Sequence, residues 1–159
     1  MSKIAPCLWF AGEAEEAANF YVSLLPDSRI DHVQRNVVDS PAGKADSVLV
    51  VMFTVAGQRF MALNGGNRME HSHAISFYID CKDQAEVDRL WETLLQGGGT
   101  PTACGWLTDR YGISWQIIPA ILPRLLADPD PARAQRAMQA MMEMVKIDVA
   151  ALQRAADGV

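Results

Sequence analysis

Apolar residues open the chain as a short run, Ile4 to Phe10, which reads as a strand and is broken at Gly12. From there the spacing changes. Ala14, Ala17, Ala18, Tyr21, Val22 and Leu25 form a helical stripe, with Glu13, Glu15 and Glu16 in the first turn, where the helix dipole favours acids. Pro26-Asp27-Ser28 stops the helix. Ile30 to Val38, Ser47 to Val55 and Arg59 to Asn64 then read as strands, separated by turns at 39–44 and 56–58.

The same order returns after a polar stretch from Gly65 to Ser72. Ala74 to Cys81 reads as a strand. Asp83 with Glu86 three residues on is a capping box, and Val87, Leu90, Trp91 and Leu94 make the next stripe. Gly97-Gly98-Gly99 ends that helix, and short strands are predicted at Thr102 to Cys104, Trp106 to Thr108 and Ser114 to Ile118. A shift of seventy residues lays Phe20 on Leu90, Tyr21 on Trp91 and Leu24-Leu25 on Leu94-Leu95. The fold class predicted is therefore α+β: a duplicated βαβββ unit, about 1–66 and 73–119, within one domain spanning 1–119. Residues 120–159 read as a C-terminal helical extension. Asp130-Pro131 is an N-cap with an N1 proline, and Ala134, Ala137, Met138, Met141, Met142 and Val145 repeat at helical spacing. A last short helix is expected from about Asp148 to Gly158.

With 159 residues, half of them apolar, the chain can bury a real core. The net charge of -5 and the absence of a Lys/Arg cluster speak against nucleic acid and anionic membranes as partners. No apolar run reaches the ~18 residues of a membrane span, and the first residues lack a signal-peptide pattern. Cys7, Cys81 and Cys104 are an odd set without metal-type spacing. A reduced, cytoplasmic protein is expected. No glycine-rich phosphate loop follows a strand, because Gly97-Gly98-Gly99 ends a helix.

The duplicated unit, closed by Asp109-Arg110-Tyr111-Gly112-Ile113-Ser114-Trp115-Gln116, resembles the vicinal oxygen chelate superfamily of glyoxalase I, bleomycin-resistance proteins and extradiol dioxygenases. Four further stretches are similar to its PhnB-like branch, often labelled 3-demethylubiquinone 3-methyltransferase. They are Phe10 to Ala17, Gly57 to Asn64, Glu86 to Trp91 and Cys104-Gly105-Trp106. The nucleotide-type sheet and glycine-rich first turn that a methyltransferase would need are not evident. The resemblance implies curved sheets around a half-open cavity. In metal-using relatives it implies four ligands, which fall here on Ala5 or Cys7, Ala62, Ala74 and Gln116. Only Gln116 could ligate in the usual way, so no metal and no cofactor are expected. His73, one residue before Ala74, would reach the cavity only through a register slip.

Strand alternation nominates Cys7, Trp9, Phe60, Asn64, Ser76, Tyr78, Ser114 and Gln116 as cavity-facing, with Asp80 at a strand end. Apolar and aromatic walls with a few polar groups suit a small organic ligand. No catalytic residue is assigned, because neither Cys7 nor the serines have an evident histidine partner. The expected function is small-molecule binding on a degenerate metal site, with a metal-dependent lyase or dioxygenase of glyoxalase type as the alternative. A homodimer is expected, with the apolar stripe of the extension buried across a two-fold axis, since each sheet already has its helix.

Overall fold

In the computed structural model, which describes residues 3–159, regular structure begins at Cys7 rather than Ile4. Pro6 has no N–H to give to a ladder; its carbonyl accepts from Met61 N at 2.9 Å. The first unit runs to Glu70. Strands β1 (Cys7–Phe10), β2 (Arg29–Arg35), β3 (Val48–Val55) and β4 (Gln58–Asn64) form one sheet in the order β1-β4-β3-β2, with β1 and β4 parallel. Helix α1 (Ala14–Val22) buries Ala14, Ala17, Ala18 and Tyr21, the stripe read from spacing. Its sheet partners include the buried side chains of β3 and β4, Val51, Phe53, Phe60 and Ala62. Tyr21 stacks on Phe53, and Phe53 on Phe60, with ring centroids 6.1 and 5.4 Å apart. β2 stops at Arg35. Asn36 is drawn inward, its Nδ2 donating to Ser47 Oγ at 3.0 Å, and Val37 and Val38 are left exposed.

The second unit, from His71, repeats the order. β5 (Ser76–Cys81) lies parallel to β8 (Ser114–Pro119), followed by β7 (Trp106–Thr108) and β6 (Thr100–Pro101), in the order β5-β8-β7-β6. Helix α2 (Gln84–Leu95) covers one face with Val87, Leu90, Trp91 and Leu94. Its capping box forms: Asp83 Oδ1 accepts from Glu86 N at 2.9 Å, and Glu86 Oε2 accepts from Lys82 N at 2.8 Å. The strand expected at Thr102 to Cys104 is instead a pair of residues at Thr100–Pro101. The amides of Cys104 and Gly105 are used elsewhere.

They hold the extension. Cys104 N donates to Met144 O and Gly105 N to Val145 O, both at 2.8 Å. Three helices make up the extension: α3 (Ile121–Leu126), which the sequence reading missed, α4 (Pro131–Met142) and α5 (Val149–Asp157). Asp130 and Asp148 cap α4 and α5 as expected, accepting from Ala132 N and Ala151 N at 3.0 and 2.8 Å. Leu122, Leu125, Ala137, Ile147, Leu152 and Ala156 close a core around Ile118 of β8. Gln84 of α2 receives Val149 N at 2.7 Å and donates to Ile147 O at 3.0 Å, while Lys146 Nζ meets Asp88 at 2.6 Å. The premise that the helix on each sheet leaves the extension little surface in its own subunit is thus corrected: it docks on the second unit, of which it is part. Gly105 makes this possible. With φ at +83°, a Cβ there would lie 2.8 Å from Ile118 Cδ1 and 3.0 Å from both Ile117 O and Ile147 Cγ1.

Candidate ligand-binding faces

Each sheet has one face under its helix and one face turned away from it. In the second unit the helix-side residues are Ile79, Cys81, Leu107, Trp115 and Ile117, all buried. Alternation places Ser76, Tyr78, Asp80, Trp106, Ser114, Gln116 and Ile118 on the other face. All four residues nominated in this unit therefore share one surface. Ser76 stands opposite Ser114, and Gln116 stands between Tyr78 and Trp106. Gln116 Nε2 donates to Ser76 Oγ at 2.8 Å. Tyr78 is half exposed. Burial, with Asp80 and Cys81 adding to it, pushes its hydroxyl above the usual tyrosine range. The far end of this face is closed by Ile118 and the core of the extension.

At the near end stands His73, in a turn before β5, which starts at Ser76 rather than Ala74. Its Nδ1 lies 3.0 Å from Ser114 Oγ, and its ring meets Trp106 edge-on at 6.3 Å. The expectation that His73 reaches the cavity only through a register slip does not anticipate this contact, and Trp106, not nominated from the sequence, joins the face through its pairing with Gln116. The turn before β8 fixes Ser114. Asp109 is 3% exposed, and its Oδ1 accepts from Tyr111 N and Ile113 N at 2.8 and 3.1 Å while Oδ2 accepts from Trp115 Nε1 at 2.9 Å.

In the first unit, Cys7 and Trp9 lie on the face away from α1, with Met61 and Leu63 beside them on β4. Trp9 is braced: its Nε1 donates to Asn67 O at 2.7 Å, and its indole lies over Gly65, where a Cβ would come within 1.8 Å of the ring. Phe60 and Asn64 take the other side, a correction to the alternation chosen for β4. Phe60 packs on Phe53 in the core beneath α1. Asn64 is buried to serve that helix: its Oδ1 accepts from Ala14 N and its Nδ2 donates to Val48 O, both at 3.0 Å.

The donor set implied by metal-using relatives does not fit. Alanine side chains at 62 and 74 offer no donor, which leaves the Gln116 amide oxygen and at most the Cys7 thiol. Among the described residues no group of three or more His, Cys, Asp or Glu side chains is placed to hold a metal ion. Neither Cys7 nor Cys81 is an activated thiol. Burial raises Cys7 above the usual thiol value, and burial with Glu86 and Asp80 nearby pushes Cys81 up to about 12. The strand-to-helix turns are filled by their own acids. Glu13 accepts from Ala11 N and Gly12 N at 3.2 and 3.0 Å, as Asp83 and Glu86 do for Glu86 N and Lys82 N in the second unit.

Comparison with known proteins gives a consistent picture. The profile of a family described as 3-demethylubiquinone-9 3-methyltransferase matches residues 2–118. A PhnB protein of Bacillus cereus with the same methyltransferase description is 35% identical, covering 75% of this chain and 100% of its own, with a TM-score of 0.67. A protein of Pseudomonas aeruginosa is 23% identical over 75% of this chain and 98% of its own, with a TM-score of 0.60, a likeness of fold. No curated protein matches.

Proposed function

Because the chain belongs to the 3-demethylubiquinone-9 3-methyltransferase (PhnB-like) family and has the paired βαβββ units of the vicinal oxygen chelate fold, we propose that it binds a small organic molecule on the sheet faces turned away from its helices. The observation that carries this reading is the second unit's open face. Exposed Tyr78 and half-buried Trp106 flank Gln116, Ser76 and Ser114, whose side chains are ordered by one another and by His73. An aromatic surface with a few fixed polar groups is what a small-molecule site needs. In the first unit Cys7 and Trp9 stand on the corresponding face, the one turned away from α1.

The test is a fragment screen by amide NMR on the full chain. Resonance shifts at Ser76, Tyr78, Trp106, Ser114 and Gln116 of the second unit, or at Cys7 and Trp9 of the first, are expected. Ligands that bind only elsewhere would overturn the assignment.

Two further features belong to the proposal. The chain works as a homodimer, supported by Met138, Met142 and Val145, which stay 44–57% exposed on and just after α4 although Ala137 beside them is buried. Light scattering of the full chain and of Met138→Glu checks this, and a wild-type monomer at micromolar concentration would refute it. The location is cytoplasmic, supported by three free thiols. Among the described residues no helix is long and apolar enough to cross a membrane.

A further inference from the structure

Charge is what the open face of the second unit leaves unbalanced. None of the residues that register puts on this face is Lys or Arg, and Asp80 is its one carboxylate. Asp80 is exposed. Among the described residues it takes part in no hydrogen bond and no ion pair, although Lys82 follows two residues on. Its charge reaches the neighbouring tyrosine: burial first, and Asp80 second, hold the Tyr78 hydroxyl above the usual tyrosine range. The two residues occupy alternate positions of β5, with Cα atoms roughly 6.7 Å apart along the strand. A positive group resting on the half-exposed Tyr78 ring therefore has the Asp80 carboxylate as its next neighbour on that strand.

Gln116 stands opposite Tyr78 on β8. Its Nε2 is turned to Ser76 Oγ at 2.8 Å, and its Oε1 has no partner among the described residues. A carboxylate, an amide oxygen and an aromatic face share one preference, since each attracts positive charge. An anion on this face meets Asp80 with no cationic side chain to offset it. A bare divalent metal finds one carboxylate and one amide oxygen, far short of the about six to eight oxygens that calcium takes. An alkylated ammonium ion needs no such shell. Its charge is spread over methyl and methylene groups, which make good contact with an aromatic face.

We propose that Tyr78, Asp80 and Gln116 form a subsite for an organic ammonium ion, with the Tyr78 ring as its seat and Asp80 as its counter-charge. This rests on the reading of the open face as the binding site, and it gives the ligand of that site a sign of charge. Trp106, on the other side of Gln116, offers flat contact for the rest of the molecule.

The experiment uses three probes of one shape and different charge: choline, its neutral carbon isostere 3,3-dimethylbutan-1-ol, and the anion 3,3-dimethylbutanoate. Each is titrated into the full chain at low salt and about pH 8, where free imidazole is neutral, and followed by amide and indole NMR. Choline should shift Tyr78, Asp80 and Gln116 and bind about tenfold more tightly than the alcohol, with the carboxylate causing no shift. Asp80→Asn removes the charge at constant shape and should reduce that ratio to about threefold. Tyr78→Leu, checked for native circular dichroism, should weaken choline by about threefold or more. Equal binding of choline and the alcohol overturns the inference, and so does tighter binding of the carboxylate, while either result leaves the open face as the site. Choline affinity unchanged in both variants overturns it as well. So does the absence of any shift from choline at tens of millimolar. Failure of the proposed function reads differently: in the fragment screen no compound of any charge perturbs the face.

Discussion

Replacing Asp109 by asparagine changes no shape and removes one acceptor, which makes it a sharp test of how the second unit is held. The carboxylate is 3% exposed and serves three donors, Tyr111 N, Ile113 N and Trp115 Nε1, at 2.8, 3.1 and 2.9 Å. Asparagine has one oxygen and one NH2 group. With the oxygen left on the two main-chain amides, the NH2 group faces the indole N–H, donor against donor. One charge-assisted bond is lost, worth about 1.5–3 kcal/mol, and a buried donor is left unmet, so a total cost near 3 kcal/mol is expected. Trp115→Phe removes the opposing donor. In that background Asp109→Asn should cost about 1–2 kcal/mol less, a coupling that a double-mutant cycle resolves. Urea melts followed by far-UV circular dichroism supply the four free energies. An Asp109→Asn change within about 0.5 kcal/mol of wild type, the range of ordinary surface substitutions, would refute the account. So would a coupling near zero, which would mean that the indole contact carries none of the effect.

Four further outcomes are expected. Cys81, pushed up to about 12 against an ordinary value of 9.0, stays protonated in the folded chain where the unfolded chain ionises, so stability is full below pH 9 and falls as pH rises toward about 12; Cys81→Ala should flatten that fall in urea melts at graded pH. Thiol titration at neutral pH should modify exposed Cys7 and leave Cys81 untouched until the protein unfolds. Where the extension meets α2, Lys146 lowers Asp88, and within the extension Asp130 N and Arg133 lower Asp128 and Arg133 lowers Asp157, all from 3.8, so their contribution is present above that value and lost below it. Hydrogen exchange should show α4 and α5 losing protection in acid before the first unit's sheet does. Gly65→Ala should destabilise by about 1–3 kcal/mol, because the new methyl overlaps the Trp9 ring, and Trp9→Ala should make it harmless; equal melting of Gly65→Ala and wild type would remove the idea that Trp9 is braced there.

The helices and the repeat were legible because their signals are local. Ala14, Ala17, Ala18 and Tyr21 sit at one spacing, Val87, Leu90, Trp91 and Leu94 at the same one, and both sets are buried. The site was half legible for a physical reason. Alternation tells which residues share a face of β4, and both of its faces carry apolar side chains, so it does not tell which face the helix covers. Alternation carried Asn64 into the cavity set together with Phe60, whereas its amide serves the first turn of α1. In β5 and β8 the serines, Tyr78 and Gln116 all fall on one side, and the ambiguity disappears. α3 was hidden by Pro123, which sits in the first turn, where its missing N–H has no intrahelical partner to lose. The two residues of β6 are too few to make a pattern, and the docking of the extension depends on contacts between positions far apart in the chain.

The way the extension is attached also sets which positions can drift. Met144 and Val145 are gripped by their carbonyls, through Cys104 N and Gly105 N, and a main-chain bond does not ask what side chain it passes. Val145 itself is half exposed. A mutational library should therefore tolerate broad replacement at 145 and accept polar residues there. Across the same two hydrogen bonds, position 105 should accept almost nothing but glycine, since any side chain would press into Ile117, Ile118 and Ile147 at once. Two neighbouring pieces of one joint thus differ widely in how freely they can vary, and the piece that looks like an unremarkable loop is the more restricted of the two.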